Sequence, residues 1–477
     1  MRVVLIIPGQ SRVRSMPVAP ALPSMSYYSY SDSMASRSLL ATALVVIFAG
    51  LGEAAPGQAC PMDVVQDASS PVPLSDVCIP EGYTDIPIDY FDDFSWREFV
   101  AMVWPAANGQ RGVADTSKTA GDAGPRVFET FKSLWEVFHD DGSAPQPFNR
   151  YDAPARNACN VATGFGDVVL ASKSGFDDIG QAGVGELVGP LVAQNGRYVR
   201  YQTLYNQIAY DYIVSNKLYL RANLPPVPTP RPDLPMVQFP VGSVAVKAAW
   251  LNLEGFSDAQ KARFYSRRAV VKDPDTGSCS EITMGLVGLH IVVKTRSRPQ
   301  WIWSSFEQID GEPPKQFGGT GKFTFNDGDK KNAMPAENPL TLAPLAKEPA
   351  TPFNLVRSVM MPIHPKTELM TLVYQRLLHR TPWEFYQIVT TQWPRLEGNQ
   401  AAPVPATQGG EITTTFPGAG ATSAFANLTI ETFDQSRPQL GCMSCHNQAR
   451  IAVDFLWSVL DHAYPPKIAP AKSAVAH

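Results

Sequence analysis

The sequence has few of the residues that build metal sites and disulfides, with six cysteines and seven histidines in 477 residues. It also has no excess of positive charge, because 40 Lys and Arg side chains are balanced by 44 Asp and Glu. Proteins that bind nucleic acid usually carry a basic patch that attracts the phosphates, so this balance argues against nucleic acid as a partner. The charged fraction is low at 18% and the hydrophobic fraction is 44%, which indicates a globular chain rather than a disordered one.

The apolar run near the N-terminus is too short for a membrane-spanning helix and is typical of an export signal. Leu39–Leu51 contains 13 apolar or small residues, follows Arg37 and precedes small residues near Ala59. This is the layout of a secretory signal peptide, whereas a bilayer span needs roughly 20 residues. We expect residues 1–59 to be the leader of a periplasmic or secreted bacterial protein, with Met34 as a second candidate for the true start. The alternative is an uncleaved leader, which would provide the chain's one association with a membrane.

Proline is abundant, with 43 prolines against 34 glycines, and it predicts a loop-rich fold because proline interrupts helix interiors and central strands. The middle of the chain holds β-branched and aromatic runs of strand length at 241–253, 268–272, 281–295 and 300–306. Helical spacing of apolar residues is found at 91–104, 126–139, 198–220, 367–379 and 449–462, and 382–393 fits a helix or a strand. We therefore predict an α+β fold, with an antiparallel β-rich central scaffold, flanking helices and long Pro-rich loops.

The chain behind the leader divides into three predicted parts. Residues 60–397 form the main globular body, and residues 398–441 are a linker rich in Gly, Pro and Thr. Residues 442–477 form a C-terminal segment that begins with Cys442-Met443-Ser444-Cys445-His446. Two cysteines three positions apart, followed directly by a histidine, are the pattern of covalent haem attachment. Each cysteine sulfur bonds to one haem vinyl group, and the imidazole binds the iron as its proximal axial ligand.

Two other kinds of site use closely spaced cysteines. A zinc site would usually need a second pair of ligands at similar spacing, and the chain has no second CxxC and no HxxxH. A redox dithiol would usually follow a strand in a βαβ unit, and the residues before Cys442 do not have that character. Both alternatives stay open, but haem attachment is the prediction that the motif favours.

Through these five residues the chain resembles the c-type cytochromes, and its layout is similar to that of larger exported bacterial proteins of the cytochrome c family with one C-terminal CxxCH motif. The resemblance implies one covalent haem c, held by Cys442, Cys445 and His446, and periplasmic electron transfer to or from a redox partner protein. Only 31 residues follow His446 and none is methionine, so the segment cannot enclose a haem alone. We expect it to pack on the body, with its helix over the proximal side of the haem.

The sixth iron ligand would then come from elsewhere in the chain. The main candidates are Met360, Met361, His364 and His379. His462 and an open coordination position are the alternatives. His290 lies among apolar strand residues, where a histidine is more often satisfied by hydrogen bonds within a core than bound to a metal.

An open position would suit a different function, a haem-dependent oxidoreductase of the peroxidase or oxygenase type, which is our alternative prediction. Such an enzyme needs a distal acid or base and often an arginine. His364, His379, Arg376 and Arg380 are suitable, although a charged helix face explains the arginines equally well. The large body favours this reading, and a ligand-binding or docking protein with a structural haem is a third class. The sequence identifies no catalytic residue.

Four cysteines remain outside the motif: Cys60, Cys78, Cys159 and Cys279. In an oxidising compartment we expect two disulfides, for which three pairings exist. A bond between Cys60 and Cys78 would close the shortest loop. The alternative is four buried thiols.

Overall fold

The computed structural model of the chain describes residues 88–173, 178–180, 190–225, 237–273, 276–295, 298, 300–313, 323–328, 348–357, 362–393, 427–432, 442, 446 and 449–466. All of them belong to one unit, residues 59–477. The predicted leader and the linker, apart from 427–432, lie outside the described residues. So do Cys60, Cys78, Met360, Met361 and Cys445.

Helices and strands alternate irregularly along the chain, and together they confirm the predicted α+β fold. The helices are α1 (Ile88–Val103), α2 (Leu134–Val137), α3 (Gln207–Ser215), α4 (Asp258–Lys261), α5 (Pro365–Leu377), α6 (Arg450–Val453) and α7 (Trp457–His462). The strands are β1 (Lys132–Ser133), β2 (Val168–Leu170), β3 (Val199–Tyr205), β4 (Val244–Asn252), β5 (Ser266–Lys272), β6 (Cys279–Val293), β7 (Ile302–Gln308) and β8 (Tyr386–Gln392). No helix in the described ranges has the length and apolar character needed to cross a membrane.

The sheet is organised around the long strand β6. Its residues 284–293 pair antiparallel with β4, while on its other edge residues 279–285 pair with β5 and residues 288–293 pair with β7. β3 and β1 extend the sheet beyond β4, and β8 extends it beyond β7, all antiparallel. Among the described strands, β2 alone pairs parallel, with β5. Because β5 and β7 share one edge of β6, the sheet curls and divides at that edge.

Helices α1 and α5 cover one face of this sheet, which we call the first face. Alternate residues of β4 and β6, such as Val246 and Ile291, are buried beneath these helices. Trp96 of α1 stacks on Tyr374 of α5 with ring centroids 5.0 Å apart. Apolar residues at helical spacing predicted both helices, and the structure confirms them at nearly the predicted bounds.

The C-terminal segment packs on the opposite face, which we call the second face. Side chains of α6 and α7 share a hydrophobic cluster with α3 and with sheet residues such as Trp303. The hydroxyl of Tyr205 donates to Ser458 Oγ (2.6 Å), and the guanidinium of Arg221 donates to the carbonyl oxygens of Leu460 and Pro465 (2.7 Å each). The expected packing of this segment on the body is therefore present.

Three predicted helices differ from the structure. The stretch 126–139 holds a short 3-10 turn, strand β1 and the four-residue α2, because Lys132 pairs with β3 and its buried ammonium contacts Glu136 (3.3 Å). The stretch 198–220 begins as strand β3, because its side chains, aromatic ones included, are buried on both faces of the sheet. It becomes helical only after the cap Asn206. The stretch 449–462 is two short helices, separated at Asp454–Phe455. In each case a tertiary partner outweighs local propensity.

Cys159 and Cys279 form a disulfide that joins a loop before β2 to the first residue of β6. Their Cα atoms are 5.8 Å apart, and 120 positions separate them in the sequence. Of the three pairings possible among the four cysteines, this bond leaves only Cys60 with Cys78 for a second disulfide. A disulfide is compatible with an oxidising compartment.

Candidate haem-binding site

Cys442 and His446 lie on the second face of the sheet, beside the ends of β7 and β8. The amide of Cys442 donates to the side-chain oxygen of Gln392, the last residue of β8 (2.8 Å). Its side chain is half-buried against the C-terminal hydrophobic cluster. The ring of His446 packs against Trp303 of β7, with ring centroids 4.3 Å apart and planes inclined by 49°. The body of the protein thus holds the motif at both of its described residues.

The two nitrogens of the His446 ring have different environments. Nδ1 lies 2.6 Å from the carbonyl oxygen of Phe455, and since a carbonyl only accepts, Nδ1 carries the proton. Nε2 has no hydrogen-bond partner in the part of the chain that the structure describes. This arrangement selects the tautomer in which Nε2 presents its lone pair, as a metal-ligating histidine requires.

Burial keeps the His446 imidazole neutral. Removal from water and, to a smaller extent, the nearby charge of Lys247 lower its pKa to about 4, against the opposing effect of the Phe455 carbonyl. Because metal binding to histidine requires the neutral ring, the site needs no deprotonation step at neutral pH.

An unusual turn presents the Phe455 carbonyl to His446. Asp454 and Phe455 both have positive φ angles, 48° and 74°. Only glycine adopts this left-handed region readily, and two consecutive non-glycine residues there require support from the surroundings. The support comes from the β6–β7 connection and from Phe239 in the loop before β4, and it reaches the turn through Asp454. Its carboxylate binds the Lys294 ammonium and accepts from the Phe239 amide (2.8 Å), while its backbone carbonyl accepts from Trp301 Nε1 (3.0 Å).

A second polar group lies on the same face, around His290. Asn427 Nδ2 and Ser305 Oγ lie 3.3 and 3.0 Å from His290 Nε2, and Glu431 Oε2 lies 3.3 Å from the same nitrogen. Burial, together with the charges of Lys247 and His446, lowers the His290 pKa to about 3. The expectation that His290 is satisfied by hydrogen bonds is confirmed. Serine and carboxylate approach one ring nitrogen rather than opposite ones, so this group does not have the geometry of a Ser-His-acid triad.

The segment 427–432 is attached to the sheet through Glu307, whose carboxylate also forms a buried ion pair. Glu307 of β7 binds Arg357 and accepts from the Leu428 amide. Tyr201 of β3 donates its hydroxyl to the Thr429 carbonyl (2.7 Å). This described part of the predicted linker therefore lies against the second face, fourteen positions before His446 at its nearest residue.

The two candidate sixth ligands that the structure describes do not lie near His446. His364 caps the N-terminus of α5, where its Nδ1 accepts from the Lys366 amide (3.2 Å). His379 follows α5, is exposed and contacts Glu384 (Nδ1 to Oε2, 2.6 Å). Both belong to the first face, so the sheet separates them from His446. The other two candidates, Met360 and Met361, and the second motif cysteine, Cys445, lie outside the described residues.

The alternative sixth ligand, His462, is also among the described residues. His462 lies at the end of α7 on the second face, and its Nδ1 contacts the Ser458 carbonyl (2.8 Å). In the described ranges no three His, Cys, Asp or Glu side chains form a group suited to a metal ion.

Sequence reasoning missed the residues that orient His446. Asp454 and Phe455 stand in a continuous helical pattern with no glycine or proline to indicate the break. Lys294 and Trp301 lie more than 150 positions upstream and have no local signal of function. Comparison of the chain with protein-family models, with curated proteins and with solved structures found no match.

Proposed function

We propose that this protein is an exported c-type cytochrome-like protein with one haem, and that it acts in periplasmic electron transfer. The observation that carries the proposal is the state of His446: a half-buried, neutral imidazole whose Nδ1 donates to the Phe455 carbonyl and whose Nε2 lacks a described partner. The histidine of a CxxCH motif needs this arrangement to bind iron.

The described residues fit a covalently attached haem. When bound, the haem supplies an iron that gains and loses one electron. His446 would bind the iron, and Cys442 and Cys445 would hold the porphyrin through thioethers. In each attachment the sulfur bonds to one vinyl carbon and the thiol hydrogen passes to the other, so no oxidant is consumed. The half-buried position of Cys442 against the second face would place one edge of the haem against the protein body.

A haem-dependent oxidoreductase with an open distal position is the second candidate. The observation that favours it is the location of His364 and His379 across the sheet from His446, which leaves neither of them placed as a sixth ligand. If Met360, Met361 and His462 also fail to bind the iron, the position is open to a small molecule. A redox carrier instead requires six-coordinate iron with an exposed haem edge.

The test is the optical spectrum of the full-length protein, produced with a c-type haem maturation system. We expect a pyridine haemochrome of the thioether-linked type. We expect its loss in the double variant Cys442→Ala/Cys445→Ala and a changed ligation spectrum in His446→Ala. His379→Ala, which alters an exposed histidine, is the matched control. Wild-type protein without bound haem would refute the proposal.

The two candidate functions separate on addition of carbon monoxide to the reduced protein. A low-spin spectrum that does not respond indicates a protein side chain in the sixth position and supports electron transfer. A high-spin spectrum that shifts with the gas indicates an open position and supports the oxidoreductase.

The proposed location is supported by the leader pattern and by the Cys159–Cys279 disulfide. Fractionation of expressing bacteria, followed by N-terminal sequencing, tests it. We expect mature protein in the periplasm, beginning near residue 60. A full-length N-terminus in the membrane fraction would support the uncleaved leader instead.

A further inference from the structure

We propose that Asp454 is a positioning residue for the proximal histidine, acting through the Phe455 carbonyl. The inference rests on the proposed haem site, and it assigns a role to a residue outside the CxxCH motif. Asp454 lies eight positions after His446 and does not touch its ring in the structure. Its influence passes through the backbone turn that it holds.

The turn at Asp454 and Phe455 is supported by contacts from outside it. Asp454 ends α6 in the left-handed conformation, and Phe455 continues in it. A bulky aromatic residue rarely adopts positive φ, so the conformation needs contacts that hold it. The Phe455 side chain is completely buried in the cluster on the second face. Burial fixes the side chain, but it does not by itself fix the direction of the backbone carbonyl.

Asp454 is held by three other groups. Lys294 and the Phe239 amide bind its carboxylate, and the indole N–H of Trp301 binds its backbone carbonyl. Asp454 and Lys294 are both almost fully buried, so their attraction is little screened by water. With carboxylate and carbonyl both held, the peptide plane between Asp454 and Phe455 has little freedom to rotate.

The contacts of Asp454 affect the imidazole through the Phe455 carbonyl. The held Asp454–Phe455 plane and the buried side chain together fix the position of Phe455, and the next peptide plane carries the Phe455 carbonyl. The amide of that next plane, from Leu456, donates to the Val453 carbonyl (3.1 Å). Together these contacts direct the Phe455 carbonyl at His446 Nδ1. A hydrogen bond from Nδ1 to a fixed acceptor sets the tautomer, orients the ring and raises the basicity of Nε2. Trp303, two residues beyond Trp301 in the same β-hairpin, packs on the His446 ring. One end of the β6–β7 hairpin therefore fixes both the hydrogen bond and the plane of the proximal ligand.

Reduction potential is the readout that separates positioning from stability. A more basic imidazole stabilises ferric over ferrous iron, so losing the directed hydrogen bond raises the potential. Changes to such supporting residues typically weaken metal binding about tenfold or more. A tenfold difference between the two oxidation states corresponds to about 59 mV for one electron.

Four variants of the haem-loaded, full-length protein test the proposal. Asp454→Asn keeps the shape but loses the charge, and Asp454→Ala removes the carboxylate. Asp454→Gly also removes it, while allowing the left-handed turn. The matched control is Asp93→Asn on the first face, where a similarly buried carboxylate accepts from Arg97 Nε (2.6 Å) and from the Tyr374 hydroxyl (2.7 Å).

We expect Asp454→Ala and Asp454→Gly to raise the potential by about 59 mV, the equivalent of tenfold, and Asp454→Asn to raise it less. Asp93→Asn should lower stability and leave the potential unchanged. A wild-type potential in Asp454→Gly would overturn the proposal, since the turn alone would then suffice. Equal shifts in Asp93→Asn and Asp454→Ala would overturn it too, because any buried carboxylate would have the same effect.

A second measurement needs no haem and separates this proposal from the proposed function. Nitrogen NMR of the ¹⁵N-histidine-labelled, haem-free full chain reports which ring nitrogen of His446 carries the proton. We expect the Nδ1–H form in the wild type and a mixture of both forms in Asp454→Asn. Unchanged spectra would refute the positioning role. If wild-type protein lacks haem while the NMR shift is seen, the proposed function fails and the positioning of His446 by Asp454 still holds.

Discussion

Removal of the Cys159–Cys279 disulfide should cost a large share of the stability of this protein. The bond closes a loop of about 120 residues, and in the chain-entropy model such a loop restricts the unfolded state by about 5 kcal/mol. Single domains are stable by only about 5–15 kcal/mol, and measured losses of native disulfides are about 2–5 kcal/mol. We therefore expect the double variant Cys159→Ser/Cys279→Ser to lose at least about 2 kcal/mol.

The assay is urea unfolding of the wild type and of the variant, each with and without a reductant. Reductant should destabilise the wild type by more than the variant, because in the variant only a bond between Cys60 and Cys78 could still be broken. Thiol titration of the denatured, unreduced wild type gives a direct check on the bond. Reactive thiols at positions 159 and 279, or a variant as stable as the wild type, would refute the reasoning.

The remaining predictions concern buried carboxyl groups. Glu98 of α1 is fully buried, neither of its oxygens finds a hydrogen-bond partner among the described residues, and burial raises its pKa well above 4.5. As pH rises, Glu98 ionises first in the unfolded chain, so the free energy of unfolding should fall as pH rises above about 4.5. Glu98→Gln should remove that pH dependence in urea melts between pH 4 and 8. An unchanged pH dependence would contradict the assignment. Glu307→Gln breaks the buried pair with Arg357. Because Glu312 remains as a second partner of Arg357 (3.1 Å), the cost should lie near the lower end of the range of about 3–5 kcal/mol in the same melts. Asp310→Asn, at the partly exposed pair with Arg263 (2.6 Å), is the control and should cost about 1 kcal/mol or less; equal losses would show that burial does not decide the effect.

Elements with one dominant periodicity were predictable from the sequence. Apolar residues of 91–104 recur at helical spacing, and Pro105 limits the helix at its end, so α1 was recognisable without tertiary information. The β-branched runs that became β4 to β7 have no competing helical pattern. For these segments the hydrophobic pattern and the burial that it produces agree.

Segments whose partners lie far along the chain were not predictable in the same way. Aromatic residues near Tyr201 fit a helix or a strand equally well, and pairing with β4 decides for the strand. Lys132 looks like an ordinary helix-surface residue, but its ammonium is buried against Glu136 and Asp152 (3.3 and 3.4 Å). Such ion pairs depend on which segments meet, and local spacing contains no information about that.

The sequence by itself predicted the chemistry that we propose for this protein, from two cysteines and a histidine at the spacing of haem attachment, and it predicted the α+β fold. Whether two thiols and an imidazole suit one haem depends on the residue types and on their separation along a few peptide units. Both are local properties of the sequence. Only the tertiary structure decided the surroundings of that histidine. The tautomer, neutrality and ring orientation of His446 depend on Phe455, Asp454, Lys294 and Trp303, which the fold brings together from positions up to about 160 residues apart. Hydrogen bonds and burial act through space, so a site's electrostatics emerges only when the chain has folded.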